Sequence, residues 1–183
     1  MSHAWVTHCI DQVKGEAAVV VNELGADPSA LTLTRPDGYF GHSLAGGLGW
    51  GLPAALGIQL ADRERLVIAT VGDGSYLFAN PVACHQTAEA LGLPVLTVVF
   101  NNGVWDAVQK STRSVYPDGH AARANRMPLA SLEPSPDYEL VARASRAHAE
   151  RVEDPEALSA ALERALHAVR IERRPALLNV LCR

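Results

Sequence analysis

The chain has 183 residues, 48% hydrophobic and 20% charged, with a formal net charge of -4. That length suits one domain, 1–183, and the balance is that of a soluble globular protein, not a disordered or fibrous one. No Lys/Arg block stands out beyond "RIERR" near the C-terminus, which argues against nucleic-acid binding, and no apolar run reaches the ~18 residues of a membrane span.

Residues 1–15, "MSHAWVTHCIDQVKG", lack the basic stretch followed by an apolar one that marks a signal peptide. Cys9, Cys84 and Cys182 are odd in number and far apart, so they read as reduced thiols of a cytoplasmic protein. Ala4, Trp5, Cys9, Ile10 and Val13 recur at helical spacing and predict a short helix over 4–13. "AAVVVNEL" is a β-branched run suited to a strand buried on both faces. Residues 25–39 carry Gly, Pro, Asp, Ser and Thr and read as loop. "SLAGGLGWGLPAALGIQLA" is glycine-crowded first and helical in its second half. "RLVIATV" predicts a strand, 81–91 a helix closed by Gly92, and "PVLTVVF" another strand. Residues 103–127 read as irregular. "SPDYELVARASRA" predicts a helix, "HAERVE" a short strand, "DPEALSAALERALHAV" a helix capped by Asp154, and "PALLNVLC" the last strand. This alternation predicts an α/β fold, a three-layer parallel sheet with helices on both faces.

The chemistry gathers at two strand ends. "RLVIATV" runs into Gly72-Asp73, and "PVLTVVF" runs into Asn101-Asn102. The helix between them makes the two strands parallel and predicts that they are neighbours. Their carboxyl ends would then share the sheet edge where doubly wound folds bind ligands. A carboxylate with an amide oxygen is a hard-oxygen pair suited to Mg2+. Two protein oxygens leave an octahedral shell unfilled, and water and phosphate oxygens usually complete it. Gly72 and Gly74 allow close backbone approach, Ser75 offers a hydroxyl, and the following N–H groups can form an anion nest. The residues therefore point to a Mg2+-bridged diphosphate. Rival phosphate motifs are missing: no "GxxxxGKS" occurs, and in "GDGSYL" Leu77 stands where a dinucleotide fingerprint needs its third glycine.

"GDGS", the 26 positions 75–100, and then "NN" resemble the thiamine diphosphate signature. "GGLGWGLPAALGIQLA" is similar to the segment that precedes this signature in benzoylformate decarboxylase and acetolactate synthase. The chain resembles the C-terminal, pyrophosphate-binding domain of those enzymes over nearly its whole length. The resemblance implies Mg2+ held by Asp73, the Asn102 side chain and the Val104 carbonyl, and the diphosphate held by Gly72, Gly74 and Ser75. It implies that Leu48 is wedged between the two cofactor rings and that the Gly46 carbonyl accepts from the 4′-amino group. Trp105 joins the cofactor-binding candidates, whereas Asn101 braces the turn. "NELGA", residues 22–26, falls where such enzymes place a loop near the diphosphate. His42, four residues before Gly46, is a candidate for proton transfer to substrate, and His85 reads as structural.

The resemblance further implies a 2-keto-acid substrate, a decarboxylase or carboligase activity, and a homo-oligomer. In this family an activating glutamate lies in a separate pyrimidine-binding domain, so the chain would carry half an active site. That domain would come from the rest of a longer polypeptide or from a separate subunit, as in split decarboxylases of the sulfopyruvate or phosphonopyruvate type; a non-catalytic cofactor-binding module is a third reading. "HAWVTHCIDQV" reads like the middle of a longer enzyme. "NNGVWDAV" departs from the best-known members: Trp105-Asp106 replaces a frequent Tyr-Gly, and the Gly-Met-Val run of acetolactate synthases is missing.

Overall fold

A computed structural model describes residues 1–41 and 45–182. Its strands are β1 (Val19–Glu23), β2 (Tyr39–Phe40), β3 (Val67–Gly72), β4 (Leu96–Asn101), β5 (His148–Val152) and β6 (Ala176–Leu181). They form one 6-stranded sheet in the order β2-β1-β3-β4-β6-β5, and every pairing is parallel. The predicted α/β architecture is therefore the observed one. β1 and β4 are buried along their whole length, as central parallel strands covered on both sides are.

The helices are α1 (His3–Lys14), α2 (Gly51–Ala61), α3 (Asp73–Phe78), α4 (Pro81–Leu91), α5 (Asp106–Val115), α6 (His120–Arg123), α7 (Tyr138–Arg143) and α8 (Leu158–Arg170). Two cores result, one on each face. Val6 and Ile10 of α1 and Leu158, Leu162 and Leu166 of α8 pack with Ile68, Val98, Phe100 and Leu178. On the opposite face Leu52 and Leu56 of α2, Ala88 of α4 and Tyr138 of α7 pack with Val19, Val21, Val71 and Val99. Cys9, Cys84 and Cys182 are free and buried. Among the described residues no helix is long and apolar enough to cross a membrane.

From β1 the chain moves outward to β2, whereas from β3 it moves the other way, to β4. The reversal lies between β1 and β3, the place where an open parallel sheet leaves a crevice outside its carboxyl ends.

Four stretches differ from the sequence expectation. Tyr39, read as the end of a loop, opens the two-residue edge strand β2, a sixth strand. Residues 103–127, expected to be irregular, hold α5 and α6. None of the residues in α5 is buried, although Val108 and Val115, seven residues apart, share one of its faces. Asp73 opens a six-residue helix of its own, α3, which intervenes before α4. The helix expected over "SPDYELVARASRA" is confined to α7, because Asp137 makes no side-chain cap and Arg146 turns left-handed at φ 59. Two expected ends hold. Gly92 closes α4 in the left-handed conformation, and Asp154 accepts a hydrogen bond from the Glu156 N–H ahead of α8.

His85 on α4 is 3% exposed and lies 2.8 Å from the Tyr76 hydroxyl. Burial pushes its pKa down to about 4. The unfolded chain, with a histidine near 6.5, takes up that proton first. The stability that neutral His85 represents is thus complete above about pH 6.5 and lost as the pH falls towards 4, with an upper bound of about 3 kcal/mol. His85→Gln should flatten this limb when urea midpoints are compared between pH 7 and 4.5. An equal fall in both proteins would place the acid sensitivity elsewhere.

Candidate functional site

β3 and β4 pair directly, with Thr70 opposite Val98 and Gly72 opposite Phe100. The residues that follow them therefore emerge side by side. Asp73 is 3% exposed. Its Oδ1 accepts from the Gly74 N–H at 2.8 Å, and its Oδ2 accepts from the Gly103 N–H at 2.8 Å. Burial raises the Asp73 pKa, and the surrounding N–H groups of Gly103, Gly74 and Asn102 act against that rise.

The two asparagines have different tasks. Asn101 is buried, and its Nδ2 donates to Ser135 Oγ at 2.9 Å and to Asn179 Oδ1 at 3.0 Å. Asn179 in turn donates to Glu139 Oε2 at 2.8 Å. Asn101 Oδ1 shares the Gly103 N–H with Asp73, at 3.2 Å. Asn101 thus braces the turn from the interior side. Asn102 instead lines a cavity of about 300 Å³, and its Oδ1 accepts from the Val104 N–H at 3.0 Å.

That cavity gathers most of the sequence-predicted residues. Gly72, Asp73, Gly74 and Ser75 come from the end of β3, Asn102, Val104 and Trp105 from the end of β4, and Leu48 from the glycine-rich segment before α2. Gly46 does not line it; this residue is exposed, at φ +68. His42 lies outside the described residues. Leu24 of the "NELGA" loop, which the resemblance places near the diphosphate, also lines the cavity, and five wall residues escaped sequence reasoning: His3 on α1 and Asp106, Ala107, Val108 and Lys110 on α5. The His3 Nδ1 sits 2.7 Å from the Gly25 carbonyl.

Glu23 was also missed as an individual residue. Strand alternation sets Val19, Val21 and Glu23 on the face that α2 covers. Glu23 is fully buried, its Oε1 accepting from the Gly49 N–H at 2.6 Å and its Oε2 from the Gly51 N–H at 2.5 Å. Its neighbour Asn22 takes the N–H groups of Gly25 and Ala26 instead, at 3.2 and 2.8 Å.

Gly74 is where the cavity wall needs glycine. A Cβ there would overlap the Trp105 ring, which stands edge-on to Phe78 with centroids 5.5 Å apart. Gly74→Ala should push Trp105 off the wall at a cost of about 1–3 kcal/mol. In a Trp5→Phe, Trp50→Phe background, acrylamide quenching of Trp105 should rise; unchanged quenching would contradict the contact.

Comparison with known proteins gives the family and the fold. The family model described as "Thiamine pyrophosphate enzyme, C-terminal TPP binding domain" matches residues 26–180. Benzoylformate decarboxylase of Pseudomonas aeruginosa is 34% identical over 104 residues, covering 55% of this chain and 19% of that protein. The acetolactate synthase large subunit of Parasynechococcus marenigrum is 31% identical over 133 residues, covering 73% and 20%. The structure of the thiamine diphosphate-dependent 4-hydroxybenzoylformate decarboxylase of Rhodococcus jostii RHA1 matches with a TM-score of 0.83 at 26% identity, covering 100% of this chain and 32% of that one. The chain thus spans about a fifth of the two curated relatives and about a third of the solved structure. A match over most of the chain, together with the shared fold, shows that it belongs to the family of C-terminal thiamine pyrophosphate-binding domains of thiamine pyrophosphate enzymes.

Proposed function

We propose that the cavity at the β3/β4 edge holds the Mg2+-diphosphate end of thiamine diphosphate. In this reading the chain is the cofactor-binding half of a 2-keto-acid decarboxylase or carboligase of the acetolactate synthase type. The observation that carries the reading is the meeting of the Asp73 carboxylate and the Asn102 amide oxygen on one cavity, beside Gly74 and Ser75.

The residues fit the group. One carboxylate, one amide oxygen and the Val104 carbonyl make a hard-oxygen set that leaves positions for phosphate oxygens and water. A divalent cation would offset the cost of keeping the buried Asp73 ionised, since an opposite charge favours the ionised form. The Gly74 N–H is engaged by Asp73, which leaves the diphosphate to the Ser75 hydroxyl and N–H. Leu48, Val104 and Trp105 supply the apolar part of the wall, and Leu48 would be the wedge between the cofactor rings. The exposed Gly46 offers its carbonyl to the 4′-amino group on the side that a complementary domain would cover. Bound thiamine diphosphate supplies an electron sink for the carbon–carbon cleavage of a 2-keto acid. This chain's residues bind and orient it; the activating glutamate comes from a pyrimidine-binding domain, in cis or in a partner subunit, within a cytoplasmic homo-oligomer.

Asp73→Ala should abolish Mg2+-dependent thiamine diphosphate binding in titration calorimetry. An unchanged affinity would remove Asp73 from the site. Decarboxylation of 2-keto acids should require the complementary domain, so sustained pyruvate turnover by residues 1–183 alone would refute the half-site reading.

A further inference from the structure

We infer that Glu23 is a positioning residue: its buried carboxylate clamps the segment that follows Leu48, and so fixes Leu48 in the cavity wall. The inference rests on the cavity being the thiamine diphosphate site and adds to it a group that never touches the cofactor.

A fully buried carboxylate is costly unless hydrogen bonds or a counter-charge satisfy it. Among the described residues no Lys or Arg pairs with Glu23, and its hydrogen bonds are the short ones from the Gly49 and Gly51 N–H groups, at 2.6 and 2.5 Å. Each carboxylate oxygen thus accepts from one backbone N–H. Gly51 is the first residue of the 11-residue α2, whose N-cap residue Trp50 contributes no side-chain cap. Glu23 therefore supplies, from another element, the acceptor that the helix start lacks. On packing grounds alone this position, in line with Val19 and Val21 beneath α2, would hold a hydrophobic residue.

The same segment is gripped from its other side. Gly49 sits at φ +88, and a Cβ there would come within 2.5 Å of the Phe78 carbonyl and 2.8 Å of the Ala79 nitrogen. A Cβ on Gly51 would come within 2.9 Å of Glu23 Oε2. By contrast, Cβ atoms on Gly46 and Gly47 would meet nothing within 4 Å. The chain is thus open at Gly46 and Gly47 and held at Gly49 and Gly51, and Leu48 stands at the boundary. Glu23 does not line the cavity, and both its oxygens are engaged, so its effect on the site passes through the backbone of residues 49–51.

The test is Glu23→Gln in the complete protein, with its complementary domain in cis or in trans. Glutamine keeps the shape but turns an amide NH2 towards one of the two N–H groups. In the cofactor-free protein, amide hydrogen exchange at residues 48–51 should speed up about ten-fold while Gly74 and Gly103 keep their protection. Unchanged exchange at 48–51 overturns the clamp. In the loaded protein, kcat and the rate of deuterium exchange at the cofactor's C2 should both fall at least about ten-fold, because ångström-scale misplacement costs up to ~10²-fold. The Mg2+-dependent affinity, set at the Asp73 end, should change less than about three-fold. Leu48→Ala combined with Glu23→Gln should be no slower than the slower single variant; additive losses would show that Glu23 acts independently of Leu48 and overturn the inference. If Glu23→Gln does not fold, Glu23→Asp carries the same measurements, and unchanged exchange in it overturns the clamp equally. A parent protein with protected Gly49 and Gly51 amides that binds no thiamine diphosphate would instead overturn the reading of the cavity.

Discussion

The hydrogen bond from the Gly103 N–H to Asp73 Oδ2 ties together the ends of two neighbouring strands, and the rest of the site depends on it. It can form because β3 and β4 are parallel, adjacent and in register, so that both leave the sheet at the same edge. Their adjacency depends in turn on two apolar cores that cover both faces of the sheet and leave each central strand one place to lie. The carboxylate at this joint is buried, which burial alone disfavours. Backbone N–H groups from both strand ends keep it in place and oriented.

Polar side chains inside an apolar sheet do most of the positioning. Asn22 and Glu23 are consecutive, so they face opposite sides of β1 and each commands a different loop. Asn22 shapes residues 24–26, and Glu23 holds residues 49–51. At the far side Asn101, Asn179 and Glu139 form a buried chain of hydrogen bonds that ends at the Gly103 turn. Each of these groups is costly if left unpaired, so each limits the conformations that its loop can adopt.

The pattern of residues reveals some of this and hides the rest. Asp73 and Asn102 were legible because each directly follows a long apolar run, and alternation with helices fixes which sheet edge they reach. Leu48 was legible only through resemblance, since nothing in "GGLGWG" itself selects one apolar residue. Glu23 was hidden, because a glutamate closing a β-branched run looks like the end of a strand meeting solvent. Its partners are backbone N–H groups of glycines more than twenty positions away, which leave no trace in residue type. Asn179 was hidden in the same way within "ALLNVL", an otherwise apolar strand. α5 is amphipathic, with Val108 and Val115 on one face, but these apolar positions are few and stay exposed, and the polar run between them reads as loop.

The path from β3 to β4 runs through α3 and α4, outside the sheet, before the chain re-enters at Leu96. Asp73 and Asn102 owe their proximity to the strand ladder and not to that excursion. The 26-position interval between the two halves of the motif is therefore slack in the tether. Residues inserted or removed in the turn between α4 and β4 would lengthen or shorten a surface detour while the two oxygen donors kept their separation. A deletion inside β4 itself would reverse which face each following side chain meets and carry Asn102 out of the cavity.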